Sequence, residues 1–135
     1  MKTKLEFFKI KYKVDKENRV IICTVSCDTN IFKVPSYVIE IYREKIMPKL
    51  NICNAFGVFA ISAKSRCHID DEWDEIKGKR IAESKAKKKA FKIALRIWCL
   101  LTQELNKASN LTDELFYANY NAYIRECEHL KKLSE

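Results

Sequence analysis

Residues 77–101 read KGKRIAESKAKKKAFKIALRIWCLL, and the spacing of their small and apolar members decides the fold. At 100° per residue, Ala82, Ala86, Ala90, Ile93, Ala94, Ile97 and Leu101 share one arc of about 120°. That stripe predicts a helix from about Lys77 to near Lys107, with alanines small enough to let it lie close on a sheet. The opposite arc is cationic. Between Lys77 and Arg96 there are nine basic residues and one acid, Glu83, so this stretch alone carries +8. The other residues hold seventeen bases and seventeen acids, so the net charge of +8 resides on one helix.

Upstream, Phe8, Ile10, Tyr12 and Val14 alternate with Lys9, Lys11 and Lys13, the period of a strand with one buried and one wet face. After the polar turn 15–18, Arg19 to Cys27 is a second β-rich run, and the two read as a hairpin. Pro35 to Met47 is expected to be a helix burying Val38, Ile41, Tyr42 and Ile46, with Pro35 at the first helical position and Pro48 as the stop. Ala55 to Arg66, with Phe56, Val58, Phe59 and Ile61, reads as a third strand whose Gly57 marks a bulge or a close backbone approach. Downstream, Ala108-Ser109-Asn110 is expected to end the long helix, and Asp113 and Glu114 to open another. Phe116, Tyr120, Tyr123, Cys127 and Leu130 then give the last helix one apolar stripe, for which the preceding helix is the natural antiparallel partner. The expected architecture is one α+β domain over 1–135: an antiparallel sheet of about three strands packed on a long basic helix, with a C-terminal antiparallel helical hairpin.

The 135 residues suit a single core, and 47% hydrophobic content with two Gly and two Pro excludes collagen-like and Pro/Gly-rich disordered classes. No apolar run approaches the roughly 18 residues of a membrane span, and the start lacks the apolar core of a signal peptide, so a cytoplasmic protein without membrane contact is expected. Cys23, Cys27, Cys53, Cys67, Cys99 and Cys127 then read as reduced thiols. A zinc site from Cys23, Cys27, Cys53, Cys67 and His68 is disfavoured, because Cys23 and Cys27 lie about 13 Å apart along a strand. Two glycines cannot build a phosphate-binding loop or a dinucleotide fingerprint, and no nucleophile–base arrangement is legible.

Asp70, Asp71, Glu72, Asp74 and Glu75 form an acidic turn before the long helix. Hard divalent ions bind carboxylates, so a metal-dependent nuclease is one alternative. The simpler reading places these acids at the positive end of a helix dipole. No catalytic residue, cofactor or metal is expected.

The stretch Cys67 to Ala86 resembles a motif of small uncharacterised phage and mobile-element proteins, with Cys67, Asp71, Trp73, Asp74, Gly78, Lys79, Ile81, Ala82, Lys85 and Ala86 at the matching positions. It departs from that motif at Ile69, where a proline is expected, and at Lys85, where an arginine is. The resemblance implies a mobile-element context and no particular activity. Lys87-Lys88-Lys89 followed by Ala90 and Ala94 is also similar to the last helix of double-stranded RNA-binding domains, but the minor-groove loop of that domain is missing.

A lysine-rich ridge repels itself at i,i+4 spacing, and polyphosphate relieves that repulsion. The expected function is therefore non-catalytic binding of nucleic acid or a nucleoprotein through Lys79, Arg80, Lys85, Lys87, Lys88, Lys92 and Arg96. Ile81, Phe91 and Leu95 interrupt the cations and point to the competing class, a protein-interaction module or an inhibitor of a host factor.

Overall fold

A computed structural model describes residues 5–51 and 53–134. The chain runs β1 (Glu6–Asp15), β2 (Val20–Asp28), a 3₁₀ turn (Ile31–Lys33), α1 (Ser36–Ile41), a π-helical turn (Tyr42–Ile46), α2 (Met47–Leu50), β3 (Val58–Arg66) and α3 (Glu75–Leu133). By packing it divides into two compact units at Leu101/Thr102. The first holds the sheet and the opening part of α3, and the second holds the remainder of α3. The class is α+β, as expected.

The three strands form one antiparallel sheet in the order β1-β2-β3. In the central strand, Ile21, Cys23, Val25 and Cys27 are almost fully buried, while Ile22, Thr24 and Ser26 between them are only half-covered. That period of two is what a sheet with one helix-covered face imposes. The covering residues are Ala82, Ala86, Ala90, Ala94, Ile97 and Leu101 of α3, all buried. Gly78 extends the stripe by one turn, and a Cβ there would stand 2.6 Å from Ile21 Cδ1. The helix approaches the sheet this closely because every fourth residue is small.

Four local expectations change. First, a bulge between Phe7 and Lys9 inserts an extra residue into β1. Phe7 therefore takes the core position opposite Cys27, and Phe8, expected on the buried face, is 61% exposed. Second, β3 begins at Val58. The preceding Gly57 has φ +73° and accepts hydrogen bonds from Thr29 N (3.0 Å) and Thr29 Oγ1 (2.8 Å). It is a close-approach glycine in a turn, which leaves Phe56 exposed. Third, Pro48 does not end the helical segment. Met47 N–H reaches Tyr42 O, five residues back, and this wider turn places Pro48 at the start of α2, where no N–H is needed. Val38, Tyr42 and Ile46 are buried, whereas Ile41 is only half-buried.

Fourth, the described residues form no C-terminal helical hairpin. Ala108-Ser109-Asn110 lies within continuous α3. Thr112 Oγ1 donates to Ala108 O at 2.8 Å, and Asn119 Nδ2 donates to Leu115 O at 2.7 Å. These side chains bond back into the preceding turn and leave the helix intact. Polar residues at this point cost a few tenths of a kcal/mol each in helix propensity, far short of the break that proline enforces.

Candidate nucleic-acid interface

The seven cations expected to bind nucleic acid separate into two groups on α3. Three are engaged within the fold. Lys79 Nζ lies 3.4 Å from Glu75 and over the Tyr12 ring, and Lys87 Nζ lies 3.8 Å from Glu83 and over the Phe7 ring. Lys85 donates to the backbone carbonyl of Lys64 at 3.5 Å, as its neighbour Lys89 does to that of Ser62 at 3.2 Å. Lys85 and Lys89 thus reach the carbonyls of edge strand β3, a device that also blunts an open sheet edge. Lys79 and Lys87 bracket the β1 side.

The other four, Arg80, Lys88, Lys92 and Arg96, are exposed and carry no ion pair among the described residues. From Arg80 to Arg96 they extend about 24 Å along the helix at 1.5 Å per residue. Their spacing keeps them on the side of α3 turned away from the sheet. Here the electrostatic cost of like charges is not offset internally.

The apolar trio also divides. Phe91 and Leu95 line one shallow groove with Ser84, Lys87, Lys88 and Lys92. Phe91 is partly anchored there by an edge-to-face contact with Phe7, with ring centroids 5.5 Å apart, while Leu95 is 69% exposed. Ile81 is not part of this groove. It lines a cleft beside the acidic turn with Trp73, Asp74 and Gly78.

The acidic turn has a structural explanation. Asp74 Oδ1 accepts the Lys77 N–H at 3.0 Å, the bond of an N-cap, and Glu75 occupies the first turn. Arg19 holds the turn from behind, donating to His68 O at 3.2 Å, to Asp71 O and to Cys67 Sγ at 3.1 Å. Its guanidinium binds carbonyls and sulfur and leaves the carboxylates outside. Among the described residues, no three His, Cys, Asp or Glu side chains are grouped to hold a metal ion.

The cysteines of the first unit belong mostly to the core. Cys23, Cys27 and Cys53 are buried, and desolvation raises all three thiol pKa values, that of Cys27 to about 11. Such thiols stay protonated at neutral pH and are poor nucleophiles.

Strand register exposes a second cationic surface that the sequence pattern alone did not assemble. On the sheet face away from α3, Lys13 and Lys64 flank Ile22 in one row, and Lys11 lies across Thr24 from Ser62. Lys9 and Arg66 extend the same face. Thr24 Oγ1 and Ser62 Oγ share a 2.6 Å hydrogen bond at its centre. The Lys9 pKa is lowered, first by its contact with Lys11, which records crowding of like charges. The alternation of β1 marks Lys9, Lys11 and Lys13 as wet, but only pairing through β2 brings Lys64 and Arg66 beside them. Neither a protein-family model, a curated protein nor a solved structure matches the chain.

Proposed function

We propose that this protein is a non-catalytic nucleic-acid-binding accessory protein that grips the phosphate backbone through the outward side of α3. The observation that carries this reading is the run of Arg80, Lys88, Lys92 and Arg96, exposed and without carboxylate partners among the described residues. Cations so placed release condensed counterions on meeting polyphosphate and bind without regard to sequence. Lys79, Lys85 and Lys87, part of the initial set, contribute long-range charge while holding the helix to the sheet. A phage or mobile-element setting is proposed on the Cys67–Ala86 motif alone.

The basic sheet face is the rival surface for the same ligand, and substitution separates the two. Lys88, Lys92 and Arg96→Ala together should lower affinity for a fluorescent duplex at 50 mM salt by about tenfold or more, while Lys11, Lys13 and Lys64→Ala leave it within about twofold. The reverse outcome would move the site to the sheet. A second reading, a protein partner, is favoured by the apolar floor that Phe91 and Leu95 give the groove beside Lys88 and Lys92. An acidic amphipathic segment has the matching chemistry. Leu95→Ser, which adds no charge, would abolish such binding and leave phosphate contact largely intact.

A further inference from the structure

The second unit, Thr102 onward, is helical as far as Leu133 and exposes nine large apolar side chains, Leu130 at 63% and Tyr123 at 65% among them. Single exposed apolar residues are ordinary; an ordered stripe is not. Phe116, Tyr120, Tyr123, Cys127 and Leu130 follow one another at intervals of four, three, four and three. That is the 3.5-residue repeat of a seam between two helices. Phe116 and Tyr120 already stack within the stripe, with centroids 6.2 Å apart. The opposite arc carries Glu114, Asn121, Arg125, Glu128 and Lys132, the composition of a solvated face.

The acids supply the orientation. Asp113 and Glu114 would be explained by a helix dipole if a helix began beside them, but α3 begins at Glu75 and they sit deep within it. Lys131 and Lys132 stand at the other end of the stripe. We propose that this segment pairs with the same segment of a second copy of the chain, antiparallel, about a two-fold axis near Tyr123. The stripe is nearly symmetric about that residue. Phe116 then meets Leu130 of the second copy, Tyr120 meets its Cys127, and Asp113 of each helix lies beside Lys131 of the other. A parallel pair would set acid against acid and lysine against lysine, which destabilises. Phe116, Tyr120 and Tyr123 are 62%, 51% and 65% exposed, so the six rings together remove roughly 700 Å² from water, the scale of a weak, reversible interface. This pairing is independent of nucleic-acid binding, and it is isologous, so it closes at two copies.

The test is sedimentation equilibrium of the full chain at about 10–100 µM in reducing buffer, together with oxidative cross-linking. Twice the monomer mass is expected, falling to the monomer for Tyr120→Asp/Tyr123→Asp with helical ellipticity retained. Orientation is read separately. A Tyr123→Cys/Cys127→Ser variant should oxidise to a covalent dimer, because residue 123 meets itself across the axis. Native Cys127 should not, since an antiparallel pair holds its two copies about 12 Å apart along the axis. A wild-type monomer throughout the range, any mass above a dimer, or a ready Cys127–Cys127 link would overturn the proposal.

Discussion

The Tyr12 hydroxyl on β1 donates to Glu83 Oε1 on α3 at 2.9 Å, joining the sheet to the helix across 71 residues of chain. Glu83 is also the acid beside Lys87 and the sole acid between Lys77 and Arg96. It therefore serves packing and limits the charge of the ridge at once. Tyr12→Phe should cost about 0.5 kcal/mol in urea denaturation, the low end for a hydrogen bond because Tyr12 is 40% exposed.

Glu83→Ala removes that bond and releases Lys87. Affinity for duplex DNA or RNA at 50 mM salt should rise by severalfold, and the dependence of log K on log salt should steepen by up to about 0.9, one further phosphate contact. Fluorescence anisotropy at several salt concentrations measures both. Unchanged affinity and slope would mean that the ligand does not sense this part of α3.

The alanine stripe is fixed by volume. Ala86 is fully buried between α3 and the sheet. Ala86→Leu should overpack the layer and lower stability by about 1–3 kcal/mol, seen as an earlier urea midpoint. Lys88→Leu, two residues away on the outer side, should change it by less than about 0.5 kcal/mol.

Much of this packing is legible in the sequence, and the exceptions have physical reasons. The period of α3 and the alternation of β1 report directly on burial, so the layer structure follows from them. The bulge at Phe8 is invisible because Phe7 and Phe8 are equally apolar, and only pairing with Cys27 decides which turns inward. The continuity of α3 through Ser109 and Asn110 is missed because residues that favour caps also tolerate helix interiors when their side chains bond back, as Thr112 does. Within the candidate site, the wheel places six of the seven cations outside the alanine stripe, and Lys79 falls within its arc. It cannot show that Lys85 finds a β3 carbonyl while Lys88 and Lys92 do not, because that depends on where the sheet edge lies.

Stability should fall on the alkaline side. Burial is the main cause that pushes the Cys27 thiol up to about 11 from 9.0 and raises the Tyr42 phenol above 10.0, with Cys53 adding to both. Both groups are neutral in the fold and ionise more readily once unfolded. Their contribution is complete below the unfolded pKa values and is lost as pH rises through and beyond them. Tm should be nearly constant from about pH 6 to 8 and decline from about pH 9 to 11. Cys27→Ala should soften that decline while lowering Tm at pH 7. A Tm that instead rises above pH 9 would contradict the burial of these groups.

The salt dependence of duplex binding by the wild-type chain bears most directly on the central claim, that α3 presents unpaired cations to phosphate. If Arg80, Lys88, Lys92 and Arg96 each replace a counterion, log K should fall against log salt with a slope of about −4 and affinity should drop about a hundredfold between 50 and 200 mM. A slope near zero, or no binding at 50 mM salt, would contradict it.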